Sequence, residues 1–129
     1  MKKQIVKESS LHQQVVDYLK YQYPKVLFRT DFAAGIKMTI GQAVKHKNLQ
    51  KCKAWPDLFI AESNFFYNGL FIEIKKSNDD IFLRSGQFKK DVHIDEQREI
   101  LKQLEKQHYK AVFGCGFDEI KLIIDNYLK

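Results

Sequence analysis

The strongest constraint on the fold is a six-residue run, Leu70-Phe71-Ile72-Glu73-Ile74-Lys75. It is short and apolar on both sides, the pattern of a central strand covered on both faces of a sheet. Period-two geometry puts Phe71, Glu73 and Lys75 on one face and Ile72 and Ile74 on the other. A carboxylate and an ammonium therefore project from a strand otherwise built for burial. Burying charge is costly unless the charge is paired or binds a metal. An edge-strand ion pair is one reading of Glu73-x-Lys75, and a catalytic pair is the other.

The preceding segment bears on that choice. Asp57 follows Pro56 and heads a second strand, Leu58-Phe59-Ile60-Ala61. Consecutive strands are usually spatial neighbours, so Asp57 is placed to meet Glu73. Two converging carboxylates in a basic chain point to a magnesium site, because Mg²⁺ takes oxygen ligands, typically one or two carboxylates with waters and phosphate oxygens. Such an ion polarises a scissile phosphate and lowers the pKa of a bound water. Lys75 beside it would orient that water and offset charge developing in the transition state. Glu119-Ile120-Lys121 repeats the Glu-x-Lys spelling, but in a helical pattern, where residues two apart do not face each other.

The charge balance fits a polyanionic partner. Lys plus Arg is 22 against 16 acids, for a net charge of +6. That favours nucleic acid, with a solvated lysine-rich surface as the alternative. With 19 Lys and 3 Arg, contact with the phosphate backbone is expected over base reading. The cations concentrate after Ala33-Ala34-Gly35, at Lys37, Lys45, His46, Lys47, Lys51 and Lys53, with no acid between Asp31 and Asp57. A long stretch of this kind is usually functional or disordered. Thr39 to Gln50 has the makings of a short helix. Lys45, Lys47, Lys51 and Lys53 are the candidate DNA contacts, or else plain solvated charges.

The chain of 129 residues is expected to form one domain, 1–129. No apolar run approaches the roughly 18 residues of a membrane span. No apolar segment follows the N-terminus, so a secretory leader is not expected. Cys52 and Cys115 are too few for a disulfide scaffold or a zinc site of common spacing, which makes a reducing cytoplasm the expected location.

The remaining segments complete the plan. Leu11, Val15, Tyr18 and Leu19 predict a helix over Leu11 to Tyr21, with Ser10 and Gln13 as a capping box and Pro24 ending it. Val26-Leu27-Phe28 reads as a buried strand running toward Phe32. Asn68-Gly69 marks a turn. Arg84-Ser85-Gly86 turns a small hairpin between Ile81-Phe82-Leu83 and Gln87-Phe88-Lys89. A helix from about Asp95 to Gln107, a strand at Tyr109 to Phe113, the turn Gly114-Cys115-Gly116 and a last helix follow. Phe117, Ile120, Ile124 and Tyr127/Leu128 share one face of that helix. The order α-β-β-β-α-β-α is that of an α/β sandwich around a central mixed sheet flanked by helices. Gln97, Leu101, Leu104 and His108 fall on one helical stripe. A polar side chain at the sheet-facing start of that stripe needs a partner, either the site or a nearby backbone group or water. His12, His46, His93 and His108 share no ligand spacing and read as surface or stripe residues.

Pro56-Asp57 followed by Glu73-Ile74-Lys75 resembles the PD-(D/E)xK nuclease superfamily. The resemblance extends over nearly the whole chain. Glu8 precedes the first helix, Trp55-Pro56-Asp57-Leu58-Phe59 opens a strand, and Glu96-Gln97 opens a helix with Leu101 and Leu104. Tyr109-Lys110-Ala111-Val112-Phe113 and Gly114-Cys115-Gly116 match the closing strand and turn. The whole looks like a stand-alone VRR-NUC domain, of the kind found in phages and bacteria. The segment from Ser77 to Val92 is longer than the minimal family connection. The resemblance implies a restriction-endonuclease-like fold and Mg²⁺- or Mn²⁺-dependent cleavage of phosphodiester bonds in DNA, on branched or structured substrates such as junctions or flaps. It implies that Asp57, Glu73 and the carbonyl of Ile74 bind metal, that Lys75 positions the attacking water, that Gln97 belongs to the site, and that Glu8 completes it. As an alternative, Glu8 is an exposed N-terminal acid. Cutting two strands takes two sites, so a homodimer is expected, with residues 77–92 the candidate contact. The rival functions are a non-catalytic DNA-binding module on the same fold and an RNA-directed nuclease.

Overall fold

The apolar run at residues 70–75 is the third strand of a four-stranded sheet in the computed structural model. The structure describes residues 8–31 and 38–129, the side chains of Glu8 and Ser9 excepted. The elements are α1 (Glu8–Gln22), β1 (Phe28–Thr30), α2 (Ile40–Asn48), β2 (Leu58–Ile60), β3 (Leu70–Lys75), α3 (Val92–Lys106), β4 (Lys110–Cys115) and α4 (Phe117–Leu128), with a 3-10 turn at Asn78–Asp80. The strands lie in the order β1-β2-β3-β4. β1 pairs antiparallel with β2, and β2 antiparallel with β3. β4 runs parallel to β3, and α3 makes the crossover that a parallel pair requires. The expected mixed sheet with β3 inside it is therefore present.

Alternation along the strands sorts their side chains onto two faces. One face carries Leu58, Ile60, Leu70, Ile72 and Ile74, packed against Leu11, Val15 and Leu19 of α1 and Ile120, Ile124 and Tyr127 of α4. Burying an aliphatic side chain of this size contributes roughly 1.5–3 kcal/mol. Gly114 of β4 lets α4 lie close, since a Cβ there would stand 2.7 Å from Ile120 Cγ1 and 2.9 Å from Ile72 Cγ2. Gly116 adopts φ +83 and caps the start of α4, a conformation that glycine adopts freely. At the rim of this face the Tyr18 and Tyr23 hydroxyls both donate to Asp125, Tyr23 at 2.6 Å, and Lys121 lies 3.5 Å away. Burial pushes the Asp125 carboxyl up, but the two hydroxyls, Lys129 and Lys121 outweigh it and hold it below its ordinary value.

The other face is smaller and aromatic. Phe71, Leu101 and Ala111 form its buried centre, with Phe59, Leu104, Tyr109 and Phe113 around them. Phe59 stacks on Phe71 at 4.4 Å.

Several local expectations are corrected. The first helix includes Glu8–Gln22, so Ser10 lies inside it and is not its cap. The strand read at Val26-Leu27-Phe28 as buried is Phe28–Thr30, a half-buried edge strand, and Leu27 is exposed. Phe32, Ala33-Ala34-Gly35 and Lys37 lie outside the described residues. The helix expected within Thr39 to Gln50 forms as α2, capped by a reciprocal Thr39–Gln42 box. The reversal between β2 and β3 is made by Asn64 rather than Asn68-Gly69. The Asn64 side-chain oxygen accepts from the backbone N–H of Phe66 and Tyr67, an Asx arrangement that mimics a backbone turn. The small hairpin at Arg84-Ser85-Gly86 is present as a bridge between Phe82 and Phe88.

Candidate active site

The register of β2 on β3 assembles the site. The register ends with Leu58 opposite Ile72. Asp57 lies one residue before β2 and Glu73 one residue after Ile72, so an extension of the same register by one step would set them opposite each other. Directly opposite residues share a face, with Cβ atoms about 4.5–5.5 Å apart. That face is the aromatic one, because Asp57 alternates with Leu58 and Glu73 with Ile72. The predicted convergence of the two carboxylates rests on this placement. The backbone N–H of Ile74 donates to Asp57 Oδ2 at 2.9 Å. The backbone N–H of Asp31 donates to the Asp57 carbonyl at 2.8 Å and fixes the chain on its far side.

The Ile74 carbonyl faces the same way as its N–H. Gly69 and Lys75 turn their carbonyls toward β4, accepting from Lys110 at 2.9 Å and from Gly116 at 2.8 Å. Alternate residues of an internal strand point to opposite neighbours, so Ile74 points its backbone groups toward β2 and Asp57. Glu73 is only 6% exposed, whereas Asp57 is half-buried.

Gln97 reaches this row from α3. It is 4% exposed, and its Nε2 donates to Glu73 Oε1 at 3.0 Å. Its partner is therefore the Glu73 carboxylate rather than a backbone group or water. Gln97 Nε2 also lies 3.2 Å from His93 Nε2. A carboxylate only accepts, so the amide nitrogen must face Glu73. Gln97 Oε1 is buried and has no hydrogen-bond partner among the described residues.

His93 is a contact the sequence reading missed. Its signal was the four-residue spacing to Gln97, which places both on one side of a helix. That spacing carried weight only if α3 began early enough, and α3 begins at Val92, capped by Asp91, whose side chain accepts from the backbone N–H of His93 and Ile94. Conversely, His108 leaves the predicted stripe. It follows the helix in a left-handed conformation, φ 67, and is exposed.

Lys75 ends β3 half-buried, on the same face as Glu73 and in register with Cys115. Burial, followed by Glu119 and Asp80, pushes the Cys115 thiol up to about 11, while the Lys75 ammonium acts in the opposite direction. The ammonium thus sits within electrostatic reach of β4. Cys52 and Cys115 are both free thiols.

The donor set suits a hard divalent cation. It consists of two carboxylates and one backbone carbonyl, all oxygen. Among the described residues no group of three His, Cys, Asp or Glu stands together. Glu8 opens α1, but its side chain lies outside the described residues. Lys45, Lys47, Lys51 and Lys53 are all exposed. Lys45 and Lys47 lie in the last turn of α2, where cations also complement the helix dipole. Among the described residues no helix is long and apolar enough to cross a membrane.

Against known proteins, the fold finds a counterpart. The chain superposes on a solved structure of a "VRR_NUC domain protein" with a TM-score of 0.68 and 22% identity, over 97% of this chain and 90% of that one. No family model matches the sequence, and neither does any curated protein. The chain shares the α/β fold of that VRR_NUC domain protein, which is the fold class expected from its sequence.

Proposed function

We propose that this chain is a metal-dependent endonuclease that hydrolyses phosphodiester bonds in branched or structured DNA such as flaps and junctions, working as the single domain 1–129. The observation that carries the proposal is the Asp57 carboxylate bound to the backbone N–H of Ile74, the residue that follows buried Glu73, in a basic protein. Asp57 accepts from the Ile74 N–H and Glu73 accepts from Gln97, so both carboxylates are held in place on this face.

Asp57, Glu73 and the Ile74 carbonyl would hold Mg²⁺ or Mn²⁺, with Glu8 a further candidate ligand. A bound divalent ion would supply Lewis acidity toward the scissile phosphate and an activated water. The side chains of this chain do the rest. The Ile74 N–H holds the Asp57 carboxylate in place. Gln97 holds Glu73 in one rotamer through the 3.0 Å hydrogen bond. The Lys75 ammonium orients the attacking water and offsets negative charge as the water oxygen adds to phosphorus and one P–O ester bond breaks. Lys45, Lys47, Lys51 and Lys53 neutralise backbone phosphates on the path leading to Asp57. Cleavage of both strands calls for a homodimer.

The test is cleavage of linear, flapped and four-way-junction DNA, and of an RNA of the same sequence, in Mg²⁺ or Mn²⁺. The expected result is metal-dependent cutting of flapped or junction DNA that EDTA and Asp57→Ala both abolish. DNA binding without cutting under every metal condition contradicts the proposal and leaves a binding module on this fold. Cutting of the RNA alone contradicts the DNA assignment.

A further inference from the structure

At Pro56, one residue before Asp57, lies a cavity of about 460 Å³. Arg29, His46, Gln50, Lys51, Trp55 and Phe59 line it, together with Thr30 and Asp31. Its size falls within the range of small-ligand sites. It opens on the site's own face of the sheet, because Arg29 pairs with Phe59, and Phe59 alternates with Leu58 onto the face of Asp57. Trp55 and Pro56 lead directly into Asp57.

The lining has three kinds of chemistry. Trp55 is 44% exposed, and its ring meets Phe71 edge to face at 5.4 Å and 87°. That contact holds the indole in one orientation while leaving much of its surface open. Arg29 and Lys51 supply fixed positive charge. Gln50, Thr30 and Asp31 supply hydrogen-bonding groups, and a carboxylate there suits an exocyclic amino group rather than a phosphate. An aromatic platform, cations for a phosphate and polar groups for an edge are together the requirements of one nucleotide taken out of a base stack.

We propose that this cavity binds a single unpaired nucleotide next to the scissile phosphate, its base stacked on Trp55 and its phosphate held by Arg29 and Lys51. The proposal rests on DNA being the substrate. It supplies a physical source for a preference for flaps or junctions over continuous duplex, since a paired base cannot enter without being unstacked.

Trp55 is the only tryptophan in the chain, so intrinsic fluorescence reports on the cavity directly. In EDTA, where no cutting occurs, three DNAs of matched length are titrated: a flap, the same flap with an abasic site at its first unpaired position, and a blunt duplex. The expected result is saturable quenching by the flap and little quenching by the other two. In fluorescence anisotropy, Trp55→Leu should weaken flap binding by about 5- to 150-fold and leave duplex binding unchanged. Trp55→Phe, which keeps an aromatic ring against Phe71, should retain most of the flap affinity. Equal quenching by the abasic flap and the intact flap overturns the proposal, as does equal loss of flap and duplex affinity in a folded Trp55→Leu protein. The nuclease reading fails separately. Base-dependent quenching without cleavage under any metal keeps the cavity assignment, and cleavage without base-dependent quenching removes it.

Discussion

The two faces of the sheet use the same strands for opposite purposes. Toward α1 and α4, β2 and β3 present Leu58, Ile60, Leu70, Ile72 and Ile74, all fully buried. The carboxylate at the rim of that face, Asp125, takes hydrogen bonds from two tyrosines and a lysine's charge. Toward α3 the same strands present Phe59, Phe71, Glu73 and Lys75, with Asp57 one residue before β2. Phe59, Phe71 and Tyr109 interlock at one end of that face, and carboxylates occupy the other. Helix α3 mirrors the division, with Leu101 and Leu104 over the aromatic end and Gln97 over Glu73. An acid buried mid-strand breaks the local rule that its neighbours obey, and such breaks concentrate at functional sites. The closed face is what stabilises the sheet enough to tolerate the other one.

The comparison can be broken by mutating each face. The largest effect on stability is expected at Ile72, which is fully buried. Ile72→Ala should lower unfolding free energy in denaturant titrations by about 2–5 kcal/mol. A loss under 1 kcal/mol would mean that the closed face is not what holds the sheet. On the open face, Lys75→Ala should slow single-turnover cleavage by about 10²–10³-fold with DNA affinity nearly intact, and Lys75→Arg should rescue poorly because its planar fork differs from a compact ammonium. Weakened binding with unchanged turnover would make Lys75 a phosphate anchor instead.

A smaller effect is expected at Asp125. Its folded-state pKa is held down, so its contribution is present above the unfolded carboxylate value, about 3.9, and is lost as pH falls through the lower folded value. Thermal melts should show Asp125→Asn less stable by about 1–2 kcal/mol at pH 7, with the gap closing below pH 4. A gap that persists at low pH would assign the loss to packing. The smallest effect is expected at the surface cations. Changing Lys47 and Lys51 together to Ala should flatten the salt dependence of DNA affinity by roughly one unit of log-log slope per lost contact. An unchanged slope would make both lysines solvated bystanders.

The parts of this division that were legible from sequence are those with a period. Alternation in 70–75 separates Ile72 and Ile74 from Glu73 and Lys75, and β3 keeps that separation. The stripe through Gln97, Leu101 and Leu104 brings Gln97 to Glu73. Boundaries were less legible, because they depend on single side-chain caps. Asp91 starts α3 three residues earlier than the periodicity indicates and brings His93 to Gln97. The helix read within Thr39 to Gln50 does form, capped by Thr39, although it buries none of its own residues. Asn64 rather than Asn68-Gly69 makes the β2–β3 reversal, since a side-chain oxygen there does the work of a backbone carbonyl. The apolar character of Val26-Leu27-Phe28 could not show that β1 lies at an edge, which is a property of the whole sheet's order.

The most direct measurement is made on Glu73→Gln, which removes the charge and keeps the shape and the oxygen that accepts from Gln97. Cleavage of flapped DNA in Mn²⁺ and thermal stability are measured on the same preparation. The prediction is cleavage reduced to background, with a melting temperature equal to or above that of the unaltered protein, because one of two facing carboxylates has lost its charge. Cleavage at the original rate in the folded variant would contradict the assignment of Asp57 and Glu73 as the site.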